Sequence, residues 1–225
     1  MSRSVYPTDA DVQALCEGLN IIFPTEFGLV GFAASAIDEW ERRTGYQPFL
    51  GSSALVTKVY DPPGANRRLT SGFSLLGGGR VLDLGCAMYA ITSVTIGVGV
   101  DAPGTVLTQG SEFWMEPLNA PSMNNPWERV RFRAPVFGME SSVQISGNVG
   151  FGSVIPEDSW QAILRLGGAL LLETLVEGLR AGSVIWQEDK VREELSPVLV
   201  GQVGQSFRSF AETVLLRYIR VGQGC

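Results

Sequence analysis

The stretch Pro156–Arg180, PEDSWQAILRLGGALLLETLVEGLR, decides how the rest of the chain is read. Proline suits the first position of a helix, and Glu157 and Asp158 place acids where the helix dipole favours them. With Trp160 at 0° and ~100° per residue, Ile163, Leu164, Gly167, Leu171, Thr174, Leu175 and Gly178 gather on one side, the expected core face. Leu172, Val176 and Leu166 fall at roughly 120°, 160° and 240° on the same wheel, among Arg165, Glu173, Glu177 and Arg180. Apolar residues on a wet face need a cover, and either a second helix of the chain or a neighbouring subunit can supply it. Leu166, Leu172 and Val176 are therefore candidate subunit-interface residues.

Upstream of that helix the periodicity changes. Between Tyr46 and Ile155 it alternates, with turn residues at short intervals, and the candidate strands are Leu55–Tyr60, Arg80–Leu84, Ile91–Val98, Glu112–Glu116, Glu128–Ala134 and Val143–Ser146. Strands this short, so spaced, favour an antiparallel sandwich or barrel over a parallel sheet. In Glu128–Ala134, Val130 and Phe132 alternate with Arg129, Arg131 and Arg133, giving one apolar face and one basic face. The three arginines are a second set of candidate interface residues, suited to acids of a neighbouring subunit or of the adjacent loop.

The first forty-five residues read as two helices. Thr8 caps the first, with Asp9 and Asp11 in its opening turn and Val12, Leu15, Cys16 and Leu19 at helical spacing. After Pro24, the residues from Leu29 place Phe32, Ala33, Ala36, Ile37 and Trp40 on one stripe, and Gly45 ends it. Beyond Gly182, Ser183–Leu195 is mostly polar and charged. Pro197 then interrupts before a last helical stripe of Phe207, Phe210, Ala211, Val214 and Tyr218. The expectation is an α+β protein: a helical bundle from residues 1–45 and 156–225, carrying an antiparallel β-rich insert at 46–155, with an extended segment around 183–200.

Composition narrows the chemistry. The 225 residues include 45% apolar and 18% charged residues, below the ~25% charged typical of soluble domains, so the chain has large buried surfaces and is not disordered. It contains no histidine, which excludes Ser-His-Asp and Cys-His nucleophile systems and every histidine-bearing zinc site. Seventeen Lys and Arg against 23 Asp and Glu give a net charge of −6, the wrong sign for a protein that grips nucleic acid. Cys16, Cys86 and Cys225 are too few and too scattered for a disulfide framework or metal knuckle. No apolar run approaches a bilayer span, so no membrane partner is expected.

Four remaining motifs are weaker. Gly77-Gly78-Gly79-Arg80 lacks the Lys and Ser or Thr of a phosphate loop and reads as a turn. Gly147, Gly150 and Gly152 show reversed dinucleotide spacing, with the helix starting too late for a cofactor. Glu112, Glu116 and Glu128 can form a glycosidase-like carboxylate pair or simply decorate solvated strands. Trp114 and Trp127, with Phe113, can form a sugar-stacking platform, as in a β-sandwich carbohydrate-binding module, or can serve as core or contact residues. No catalytic, cofactor or metal residue is expected.

Three stretches, Arg80–Val98 (RVLDLGCAMYAITSVTIGV), Thr105–Ser122 (TVLTQGSEFWMEPLNAPS) and Ser146–Leu164 (SGNVGFGSVIPEDSWQAIL), are similar in type and order to segments of a known family. An apolar strand with an Ile-Thr-Ser-Val run, a Gly-then-aromatic strand ending at Pro, and a Gly-aromatic-Gly turn leading through Pro into a long helix resemble head-to-tail adaptor (connector) proteins of tailed bacteriophages. The helix Leu29–Gly45, ending in Glu-Arg-Arg-Thr-Gly, fits the same pattern. The resemblance implies a non-enzymatic, homo-oligomeric ring, dodecameric in such proteins. It would bind the portal protein on one side and the next neck or tail protein on the other. Genomic DNA would pass through its channel without sequence-specific binding. It also implies assembly in the host cytoplasm and residence in the virion neck.

Overall fold

The computed structural model describes residues 2–21, 23, 28–46, 48–60, 79–98, 103–120, 125–136, 142–181 and 197–219. Met1–Gly45 and Val154–Cys225 make one unit, and Tyr46–Ser153 makes a second.

The helical unit starts with a two-residue strand β1 (Ser2–Arg3), then α1 (Asp9–Glu17) and α2 (Phe32–Thr44); it resumes with β8 (Ile155–Pro156), α3 (Glu157–Ala181) and α4 (Pro197–Leu215). Thr8 caps α1 reciprocally: its hydroxyl accepts the Asp11 N–H, and the Asp11 carboxylate accepts the Thr8 N–H at 2.8 Å. These bonds with Thr8 hold the Asp11 carboxyl below the usual carboxylate range. α2 begins at Gly31, whose left-handed backbone (φ 92°) provides no capping side chain. The cap comes from α1, where Asp9 accepts the N–H groups of Gly31 and Ala33, both at 2.8 Å. Gly45, at φ 77°, ends α2.

α3 is the hub, packed most extensively on α4 and also on α2 and α1. Two adjacent glycines set its close approaches. A Cβ on Gly167 would meet Val12 at 2.9 Å, and one on Gly168 would meet the Phe207 ring at 2.9 Å. Two expectations are corrected here. Pro156 is not the first helical residue: it pairs with Ser2 in the β1–β8 ladder, and α3 starts one residue later. Residues 197–200 are not extended either but form the first turn of α4, which a proline at that position tolerates. Residues 182–196, the rest of the expected extended segment, lie outside the described residues, as do Pro24, Gly77, Gly78 and Cys225.

The insert holds β2 (Val56–Tyr60), β3 (Val81–Val98), β4 (Pro103–Val106), β5 (Phe113–Glu116), β6 (Trp127–Phe132) and β7 (Ser142–Val149). They form one antiparallel sheet in the order β2-β7-β3-β6-β5, with β4 also on β3. The alternating pattern suggested two strands, Arg80–Leu84 and Ile91–Val98, but they are halves of one 18-residue strand. The register shifts between Asp83 and Met88, where Gly85 (φ 63°) donates its N–H to the Asp83 carboxylate at 2.8 Å. A bulge interrupts alternation without ending a strand, so sequence periodicity breaks where the ladder does not. Leu82, Leu84, Val130 and Phe132 share one core with Val94, Val143 and Ile145.

The insert's two ends are fastened to each other. Phe49 stacks on Phe151 with centroids 4.6 Å apart, Tyr46 meets Phe151 edge-on, and Gly51 donates its N–H to the Gly152 carbonyl at 2.8 Å. Gly150, at φ 132°, lies directly against the Gly51 backbone, and Gly147 lies against the Ala90 backbone. The reversed dinucleotide spacing thus reflects close backbone approach.

Candidate assembly surfaces

Leu166, Leu172 and Val176 are 2%, 0% and 7% exposed within the single chain. This corrects their assignment to a subunit interface, because side chains so buried leave almost no area for another copy. Leu172 lies against Gly204 of α4, where even an added Cβ would stand 3.5 Å from the Leu172 Cβ. The cover is internal because α3 has neighbours on more than one side, whereas the wheel assumed one buried face. Thr174 shows the converse: it was expected in the core but is exposed, its hydroxyl donating to the Leu170 carbonyl at 2.9 Å.

An ionic seam laces the helices. Arg43 of α2 donates through both terminal nitrogens to Glu212 of α4, each at 2.5 Å, and through one of them to Glu39 at 3.3 Å. Arg208 of α4 grips Glu173 of α3 at 2.9 and 3.0 Å. The bond from Arg43 holds the Glu212 carboxyl below its usual range. Arg165 of α3 lies 4.0 Å over the Phe210 ring. The first turn of α3 holds both flanks of the chain. Arg3 lies 4.4 Å over the Trp160 ring with its Nε 3.3 Å from Glu157, and the Tyr218 hydroxyl donates to Asp158 at 2.8 Å. Burial pushes the Tyr218 phenol up to about 12 and the Cys16 thiol up to about 12.

On the insert, the pleat puts Arg129 and Arg131 of β6 on the outer face beside Trp114 and Glu116 of β5 and Asp83 of β3. Arg131 pairs with Glu116 at 2.5 Å and Arg129 with Asp83 at 3.9 Å, yet the two arginine side chains stay 57% and 51% exposed. Their partners are therefore on the flanking strands of the same sheet and not on the adjacent loop. Arg133, just past β6, is exposed and makes no ion pair with a described residue.

Trp114 stands directly opposite Arg131, whereas Trp127 packs against the insert core. The two indoles do not form a common platform. The Glu112 carboxylate accepts the Thr108 N–H at 2.7 Å and Glu116 is tied to Arg131, so each of these acids serves a local contact. Among the described residues no three His, Cys, Asp or Glu gather as a metal site, and no helix is long and apolar enough to cross a membrane. Sequence reasoning missed Asp9 as the cap of α2 and Arg43 as the link to Glu212. Both depend on partners more than 20 residues away, which no local pattern encodes.

No protein-family model matches the chain, and no curated protein matches it. Solved structures do. A chain in the neck of an empty gene transfer agent particle has a TM-score of 0.41 and 15% identity, covering 92% of this chain and 95% of that one. Another, in the virion of the native gene transfer agent particle, has a TM-score of 0.44 and 15% identity, covering 100% of this chain and 98% of that one.

Proposed function

We propose that the protein is a structural component of the neck of a phage-like particle: a head-to-tail adaptor ring between the portal and the next neck or tail protein, surrounding the DNA channel. The observation that carries this reading is where the three adaptor-like stretches fall. Arg80–Val98 is β3, the strand to which β4, β6 and β7 all pair. Thr105–Ser122 contains β5, and Ser146–Leu164 runs from β7 through the Phe151 turn into α3, the hub of the helical unit. The resemblance thus covers the elements on which both units are built, in the family's order. The reading assigns no catalytic step, cofactor or sequence-specific DNA contact to the chain.

The test is the native mass of the purified full-length protein, alone and mixed with a portal protein. A closed ring, or a ring formed on the portal, is the expected result. A monomer under both conditions overturns the reading.

A further inference from the structure

Charge is divided unevenly along the chain. Residues 1–45 and 154–225 carry 10 Lys and Arg against 16 Asp and Glu, whereas residues 46–153 carry seven of each. The whole net charge of −6 therefore belongs to the helical unit, and two helical units facing each other repel. The insert is electrically neutral overall, so it meets a helical unit without that penalty.

The insert also presents suitable groups. Arg131 and Arg129 are more than half exposed, Arg133 has no ion pair with a described residue, and Trp114 stands directly opposite Arg131. Arginine and tryptophan are the side chains most enriched at energetic centres of interfaces. The helical unit offers the complement: Glu17 of α1, Asp38 of α2 and Glu177 of α3 are exposed and form no ion pair with a described residue. We propose that the Trp114–Arg131–Arg133 face of one copy docks on the acidic helical unit of a second copy.

Such a contact joins two different surfaces, and a head-to-tail contact of this kind builds a ring when its rotation closes. The proposal rests on the ring reading above and names the subunit contact within it. Acids already on the insert face, Asp83 and Glu116, leave Arg133 as the group with most to gain from an incoming carboxylate.

Arg133→Glu tests this in the full-length protein, since the side chain is exposed and belongs to neither the Arg131–Glu116 nor the Arg129–Asp83 pair. With circular dichroism unchanged, sedimentation at low salt should place half-assembly at a protein concentration at least about tenfold higher than for the parent. The gap should shrink as salt screens the contact. Glu177→Lys should weaken assembly likewise, and combining it with Arg133→Glu should recover part of the loss. A variant that assembles like the parent overturns the contact while leaving the ring intact. If Arg133→Glu instead assembles normally and loses binding to a DNA duplex, the face belongs to nucleic acid and the contact is again overturned. A parent chain that stays monomeric, alone and with portal, removes the ring reading and the contact with it.

Discussion

In the helical unit, α3 keeps apolar residues around much of its circumference and finds cover for them within the chain, so Leu166, Leu172 and Val176 vanish from the surface. In β6 of the insert Val130 and Phe132 are buried while Arg129 and Arg131 alternate with them, and the arginine face, with Trp114 of β5, stays at least partly open. A helix can be walled in by several neighbours at different angles, whereas a strand has two faces and a folded sheet buries one. The arginine face of β6 is therefore open to a partner, whereas the Leu166, Leu172 and Val176 side of α3 is not.

The sharpest way to break this comparison is to charge the buried side of α3. Replacing Leu172 and Val176 by Asp forfeits about 1.5–3 kcal/mol for each apolar side chain and adds the cost of burying carboxylates. The double variant should lose its helical circular dichroism and sediment as an unfolded chain. Leu172→Ala alone should cost about 2–5 kcal/mol in chemical denaturation. A folded monomer from the double variant would return these residues to the subunit interface.

Glycine substitutions sharpen the same contrast inside the helices. Gly168→Ala drives a Cβ to 2.9 Å from the Phe207 ring and should destabilise by roughly 1–3 kcal/mol. Gly201→Ala in α4, with open space around the new methyl, should instead stabilise by roughly 0.5–1 kcal/mol. Opposite shifts of the thermal midpoint check the pair. Asp9→Ala removes both side-chain bonds that cap α2 and should cost about 1–2 kcal/mol, with faster amide exchange at Gly31 and Ala33.

On the insert the expected effects are smaller. Arg131→Ala removes an ion pair whose arginine is more than half exposed and should change stability by no more than about 1 kcal/mol, measurable by denaturant titration. For the helical unit, acid supplies a mild probe. Asp11 and Glu212 both titrate lower in the folded protein than in the unfolded chain, so their contribution is present above the unfolded carboxylate range and fades as pH falls through the folded values. Midpoints recorded from pH 6 downward should therefore fall, and less steeply in Asp11→Asn and Glu212→Gln.

Much of the architecture was legible because its signals are local. The Thr8 cap, the Gly45 stop and the apolar stripe of α2 involve residues within one or two turns of each other, and each stands where the pattern put it. The Val130 and Phe132 alternation likewise placed the arginines outward. What failed did so for lack of long-range information. The Gly85 bulge disguised one strand as two, and the wheel of α3 could not say how many helices surround it.

The sequence by itself determined an α+β chain with helices at both ends, an antiparallel middle, and no histidine chemistry, because composition and periodicity are properties of neighbouring residues. Tertiary structure alone decided which apolar residues are spent internally, which carboxylate each arginine holds, and where α2 finds its cap. Those outcomes depend on which distant segments meet: Gly204 against Leu172, Glu212 against Arg43, and Asp9 against Gly31. Covering Leu172 or capping α2 is a local demand, but the group that meets it comes from wherever the packed chain brings one within a few ångströms.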